Sequence, residues 1–123
     1  MNYLGIDFGT KRVGLAISVR GVISPLSSIK NDHNIFSFIQ DYVDQYQIDS
    51  IYIGLSQGKI GKLTLKFIDR LHSVIKLPIE TVEEAVSTIE ANSVFVDNRR
   101  KKRDYSKDID SLAAAVILRR VIS

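Results

Sequence analysis

The stretch GIDFGTKRVGLAIS, residues 5–18, decides the fold predicted for this chain. The apolar-rich residues 3–7 predict a short strand that ends at Asp7, and the alternation over residues 13–18 has the period of a second strand. A turn that contains Gly9 connects the two. Residues 22–29 predict a third strand, in which Pro25 indicates an edge or a bulge. The first 30 residues are therefore expected to form an antiparallel meander.

Beyond residue 30 the pattern changes to alternating helices and strands. Hydrophobic spacing predicts helices over residues 34–47, 62–76, 86–96 and 107–121, and strands over residues 50–55 and 78–82. The last helix carries one apolar stripe, formed by Ile109, Leu112, Ala113, Val116 and Ile117. This order predicts an α/β fold with a five-stranded mixed sheet, in which three antiparallel strands precede two parallel ones, flanked by helices.

Length and composition limit the protein class. A chain of 123 residues is expected to form one domain over residues 1–123. The net charge of +3 permits a nucleic-acid partner without requiring one, and the absence of cysteine excludes disulfides and thiolate ligands. The chain shows no signal peptide and no apolar run of about 20 residues. We therefore expect a cytoplasmic protein without membrane contact.

Asp7 is the first candidate for a chemical role. Ligand sites in such sheets lie at the carboxyl ends of parallel strands, where Asp7 is expected. Its carboxylate could hold a hard divalent cation or assist a phosphate-binding turn, and the structural alternative is a turn-stabilising aspartate. Metal-dependent hydrolysis of phosphodiesters needs further acids. Two pairs of residues offer such acids: Glu83 with Glu84, and Asp108 with Asp110. Helical geometry does not choose between Asp108 and Asp110.

Four segments in succession resemble the YqgF family, whose members are described as candidate Holliday-junction resolvases and as nucleases that mature the 16S ribosomal RNA precursor. They are GIDFGTKRVGLAIS at 5–18, IYIGL at 51–55, LPIETVEEAVSTIEA at 77–91 and DIDSLAAAVIL at 108–118. The resemblance covers nearly the whole chain. It implies a ribonuclease H-like fold and a nuclease that depends on Mg²⁺ or Mn²⁺.

The resemblance also assigns roles to individual residues. It implies that Asp7, Glu84 and Asp110 are the catalytic carboxylates that hold the metal. The family's Asp-Glu-Arg triplet reads Glu83-Glu84-Ala85 here, so an arginine that could clamp a phosphate is missing. Two functions therefore stay open. One is a nuclease for structured RNA or branched DNA, and the other is a weakened or inactive nucleic-acid-binding module of the same fold.

Basic residues supply candidate contacts to the substrate. Eight of them are expected to bind the phosphate backbone, with solvated surface charge as the alternative: Lys11, Arg12, Lys59, Arg99, Arg100, Lys101, Lys102 and Arg103. Lys59 is expected in a flexible loop between Gly58 and Gly61. The protein could act as a monomer or a homodimer, and two symmetric cuts would suit a dimer.

GIDFGT also resembles the phosphate motif of the actin, sugar-kinase and heat-shock ATPase superfamily. Those proteins close a second, similar domain over their nucleotide. A chain of 123 residues has no room for such a domain, so we favour the nucleic-acid functions over ATP binding.

Overall fold

A computed structural model describes residues 1–83 and 105–122, with side chains from Ser111 onward in the last helix. The elements, in chain order, are β1 Tyr3–Asp7, β2 Arg12–Val19, β3 Val22–Pro25, β4 Ile29–Lys30, α1 Ile35–Gln45, β5 Ser50–Leu55, α2 Gly58–Val74, β6 Ile79–Glu83 and α3 Tyr105–Ile122. The strand order is β3-β2-β1-β5-β6, and β4 pairs separately with β2. β1 is antiparallel to β2 and parallel to β5, and β5 is parallel to β6. The predicted mixed α/β sheet is confirmed.

The predicted third strand is divided in two by Pro25. β3 ends at this proline, which has no N–H to donate to a neighbouring strand. The chain nevertheless stays beside β2, because the Leu26 N–H donates to the Leu15 oxygen at 2.8 Å. Pairing then resumes at β4, where Ile29 lies opposite Val13. The result is a short additional strand beside the five predicted ones.

The helix α2 begins earlier than residue 62, where the sequence predicted it. It starts at Gly58, so the flexible loop predicted between Gly58 and Gly61 is wrong, and Lys59 lies in the first helical turn. Gly61 serves close packing rather than flexibility, because a Cβ at this position would collide with the Ser56 carbonyl oxygen. The helix predicted over residues 86–96 lies outside the described residues.

Buried residues pack on both faces of the sheet. Leu4 and Ile6 project to one face, where they pack under α1 and α2. The alternating residues Gly5 and Asp7 belong to the other face, which α3 covers. The contact between α3 and this face includes small residues and one leucine, in a cluster of Ala16, Ala114, Ala115 and Leu118. Among the described residues, no helix is long and apolar enough to cross a membrane.

Candidate metal and nucleic-acid site

Asp7 lies half-buried at the carboxyl end of β1, on the face that α3 covers. Its immediate strand neighbours on this face are glycines. Gly14 is its antiparallel partner, and Gly5 lies two residues before it. Ile6 pairs with Ile53, so the same register brings Gly54 level with Asp7 on the other side. A carboxylate oxygen in this position is a ligand of the kind that Mg²⁺ prefers, and the glycines beside it bring no competing side chain from the neighbouring strands.

The close approach of α3 to β1 depends on Gly5. A Cβ at Gly5 would lie 2.7 Å from the carbonyl oxygen of Ala114 and 2.7 Å from Leu118 Cγ. Both distances are shorter than the roughly 3.5–4.0 Å of an ordinary carbon contact. Asp110 precedes Ala114 by four residues, which is about 6 Å along a helix axis. The helix that carries Asp110 therefore crosses the strand that carries Asp7.

The end of β6 lies at the same edge of the sheet as Asp7. β1, β5 and β6 are parallel, and Gly54 pairs with Val82, so Asp7 and Val82 are two strand spacings apart, or about 10 Å. Glu83 shares the parity of Ile79, which packs against the core under α1 and α2, and so it belongs to the face opposite Asp7. Arg120 Nη1 donates to the Glu83 carbonyl oxygen and joins α3 to this strand end. Glu84 follows directly but lies outside the described residues.

The turn after Asp7 is held by Asn31. The Asn31 Nδ2 donates to the Gly9 carbonyl oxygen at 2.8 Å, and the Asn31 N–H donates to the Lys11 carbonyl oxygen at 2.9 Å. Gly9 is required inside this turn, since a Cβ there would collide with the Arg12 carbonyl oxygen. Asn31 therefore fixes the backbone between the acid and the first two candidate phosphate contacts.

Replacement of Asn31 by Ala is expected to destabilise the protein by about 1 kcal/mol, because one partly buried side-chain hydrogen bond is removed. It is also expected to reduce cleavage, since the turn after Asp7 loosens. Thermal unfolding and a cleavage assay measure the two effects. Asn34→Ala is the matched control, because Asn34 is exposed and its side chain makes no capping hydrogen bond. Equal losses in both variants would contradict the assigned role of Asn31.

The candidate phosphate contacts fall into three groups. Lys11 and Arg12 are exposed beside Asp7, in the turn and at the start of β2. Lys59 is exposed in the first turn of α2. The basic run at residues 99–103 lies outside the described residues, and the side chain of Asp110 does too. In the part of the chain that the structure describes, no group of three or more His, Cys, Asp or Glu side chains could hold a metal ion.

Three further basic residues of α2 lie in line with Lys59 and were not singled out from the sequence. Lys66 and Arg70 follow Lys59 by seven and eleven residues, which places them on the same face of the helix. With Lys62 they complete a row that we call the α2 basic stripe: Lys59, Lys62, Lys66 and Arg70. The helical spacing of these residues would have predicted a common face. It was overlooked because Lys59 had been assigned to a loop and not to the helix.

Tyr52 contributes no charge near the site. It lies on the α3 face, beside Gly5, and its ring meets that of Tyr3 edge-on at 5.5 Å between centroids. Burial, with a smaller contribution from the charge of Glu80, raises the pKa of Tyr52. Its hydroxyl therefore stays protonated at neutral pH, and it adds no repulsion toward a phosphate.

Known proteins match the chain over nearly all of its length. The RuvX family, described as Holliday junction resolvase, matches residues 1–123. A protein of Methylococcus capsulatus named as a candidate pre-16S rRNA nuclease is 32% identical over 94% of this chain and 84% of its own length. A Thermoanaerobacter pseudethanolicus protein with the same name is 32% identical, over 96% of this chain and 93% of its own.

Solved structures share the fold at much lower sequence identity. The Fowlpox virus resolvase in complex with Holliday junction DNA superposes with a TM-score of 0.65, at 14% identity, covering 99% of this chain and 97% of that one. Thermus thermophilus RuvC in complex with a Holliday junction substrate gives a TM-score of 0.60 at 12% identity, covering 98% and 96%. These matches confirm the predicted ribonuclease H-like fold.

Proposed function

The chain belongs to the RuvX family of Holliday junction resolvases, and on that premise we propose that it is a nuclease whose phosphodiester hydrolysis depends on Mg²⁺ or Mn²⁺. This is the family that its sequence resembles under the name YqgF. The observation that supports the proposal most directly is the position of the half-buried Asp7. It lies beside Gly5, Gly14 and Gly54 at the carboxyl ends of the parallel strands, where ligands bind in such folds.

The proposed metal ligands are Asp7, Glu84 and Asp110. Two features support this set: the helix with Asp110 packs directly on β1, and Glu83 is turned away from Asp7, which leaves Glu84 as the better partner. A separation of about 10 Å between the strand ends suits carboxylates that hold two ions about 4 Å apart. When bound, such ions activate water and stabilise the leaving oxygen.

Residues of the chain itself attract the cation, bind the substrate and hold the site in position. Asp7 carries the fixed negative charge that attracts a cation to the end of β1. Lys11 and Arg12, both exposed beside it, neutralise the phosphates of the substrate. Asn31 holds Lys11 and Arg12 at a fixed position relative to Asp7 through its two hydrogen bonds to the turn between them.

We propose that the substrate is the 16S ribosomal RNA precursor and that it is processed at its 5′ end. We also propose that the protein is a single domain that acts in the cytoplasm. Relatives at 32% identity are named as nucleases of this precursor, whereas the solved structures bound to junction DNA share only 12–14% sequence identity with this chain. Branched DNA is the second candidate, because the family description names it. The protein acts as a monomer or as a homodimer, depending on the substrate. A homodimer suits a symmetric DNA junction, because two symmetric cuts require two active sites.

Ala85 supports the alternative of a weakened or inactive nucleic-acid-binding module. It stands where the family has an arginine that could hold a phosphate with two parallel hydrogen bonds. The absence of such an arginine lowers activity unless other cations replace it. The decisive difference between the two functions is therefore cleavage, because both predict binding.

We expect the protein to cut a 16S precursor RNA in Mg²⁺ or Mn²⁺ and not in excess EDTA. The assay uses a precursor with a labelled 5′ extension and a labelled four-way DNA junction in parallel, and maps the cut at nucleotide resolution. Light scattering on the same samples gives the oligomeric state. Undiminished cleavage in EDTA would contradict the metal mechanism, and salt-sensitive binding of both substrates without any cut would establish the binding module instead.

A further inference from the structure

A cavity of about 480 Å³ opens beside the turn that follows Asp7, on the side of α1 and α2. Its volume is in the range of pockets that bind small ligands or single nucleotides. Aromatic rings and cations line it together: Phe8, Phe36, Phe67, Lys66 and Arg70. Phe8 directly follows Asp7 at the end of β1, with about 3.8 Å between the two Cα atoms. The cavity and the proposed metal site therefore lie at the same end of this strand but on opposite faces of the sheet, so a nucleic-acid strand that passes over this end can reach both.

The three rings form one continuous aromatic surface. Phe67 is buried, and the rings of Phe8 and Phe36 lie 5.1 Å and 5.4 Å from it between centroids. Phe8 and Phe36 are only half-buried, so part of each ring remains accessible. The guanidinium of Arg70 lies over the Phe36 ring, with 6.0 Å between Cζ and the centroid, at the outer limit of a cation–π contact. A planar group can therefore compete for this ring.

The α2 basic stripe leads into the same cavity. Its four side chains are exposed and lie within an arc of about 80° when each residue turns the helix by 100°. From Lys59 to Arg70 the row is about 17 Å long, enough to contact several successive phosphates of one strand. Lys66 and Arg70 belong both to the stripe and to the cavity lining. Asp32, the one acid among the described lining residues, accepts a hydrogen bond from the Asn34 N–H at 2.9 Å.

We propose that the α2 basic stripe and the aromatic cavity together bind a single-stranded segment of nucleic acid next to the cleaved bond. The stripe holds successive phosphates, and the cavity takes one unpaired base against Phe8 and Phe36. A stacked and paired base does not present its face to a side chain, so this site selects unpaired nucleotides. The position next to the cleaved bond rests on the proposed function, whereas the binding itself does not.

The stripe is tested by the salt dependence of binding. The full chain carrying Asp7→Asn is titrated into a fluorescein-labelled 12-nucleotide oligo(U) in EDTA, so that no cleavage interferes. For a single strand, each phosphate that a side chain neutralises adds about 0.7 to the slope of log K against log salt, so Lys66→Gln with Arg70→Gln should lower the slope by about 1.4. The control pair is Lys76→Gln with Arg119→Gln, two exposed cations on other surfaces. Equal changes in both pairs would overturn the stripe as the binding surface.

The cavity is tested by Phe36→Leu, which keeps an apolar side chain and removes the aromatic face. We expect about tenfold weaker binding of the single strand, the cost of losing one stacked base, and unchanged binding of a duplex of the same length. Phe36→Tyr should keep the affinity of the wild type, because its ring retains the face on which the base stacks. Equal thermal unfolding of Phe36→Leu and wild type separates the loss of stacking from a loss of structure. Wild-type affinity in Phe36→Leu, with thermal unfolding unchanged, would overturn the base pocket.

The two proposals fail in different ways. Stripe-dependent binding of the single strand without any cleavage would keep this inference and overturn the nuclease. Metal-dependent cleavage with equal rates in wild type, the stripe variant and Phe36→Leu would keep the nuclease and overturn this inference. A substrate with two unpaired nucleotides beside the cut should be cleaved faster than its fully paired counterpart, and only when Phe36 is present.

Discussion

Replacement of Asp7 by Asn is expected to lower metal-dependent cleavage by about 10³-fold, which corresponds to about 4 kcal/mol of transition-state stabilisation. Asn keeps the shape of the side chain but removes the negative charge that attracts the cation. The fold should survive, because Asp7 is half-buried and stands among glycines rather than in a packed core. Initial rates on the preferred substrate in Mg²⁺ measure the effect.

Asp41→Asn is the matched control for this change. Asp41 is an exposed carboxylate on α1, so the same loss of charge should leave the rate within a factor of two. Binding of the oligonucleotide in EDTA should be unchanged or slightly tighter in Asp7→Asn, because a negative charge near the phosphates is gone. A rate of Asp7→Asn near that of Asp41→Asn would remove Asp7 from the mechanism.

Replacement of Gly5 by Val is expected to lower both stability and cleavage. The new Cβ would need to move Ala114 and Leu118 outward by about 1 Å to reach ordinary contact distances. Such overpacking costs about 1–3 kcal/mol, whereas the better strand propensity of Val returns at most about 1 kcal/mol. A shift of about 1 Å in the helix that carries Asp110 can cost about 100-fold in rate.

Thermal unfolding and the cleavage rate are measured on the same samples. Gly5→Ala should give a smaller loss of both quantities, because its Cβ makes the same collision without the two methyl groups of Val. Ser24→Val is the control, since it adds similar bulk to a strand at an exposed position. Wild-type stability in Gly5→Val would show that α3 does not depend on the close approach at Gly5.

Strand β1 was predicted at its observed bounds, Tyr3–Asp7, and β5 at Ser50–Leu55. These strands have short apolar runs with clear ends, and the pattern alone is sufficient to locate them. The start of α2 was missed because two glycines within four residues are typical of a loop. Gly61 lets the first turn of α2 approach the carbonyl oxygen of Ser56 just before the helix, a close backbone contact that helix propensity does not describe.

The packing of α3 shows a different limit of the sequence. The sequence predicted one apolar stripe on this helix, but Ala114, Ala115 and Leu118, which cluster with Ala16 of the sheet, lie outside that stripe. Every residue from 111 to 118 is buried, so hydrophobicity does not identify the side that faces the sheet. The size of the side chains identifies that side, because the alanines allow the backbone of α3 to approach Gly5.

The sequence by itself determined the sheet, the position of Asp7 at a strand end and the family. These depend on patterns within single segments and on their order. Only the tertiary structure decided that Gly5, Gly14 and Gly54 surround Asp7, and that Phe8, Phe36 and Phe67 meet beside a row of cations. The residues of each group come from separate segments. Strand register and close packing bring them together, and neither is encoded in the periodicity of any one segment.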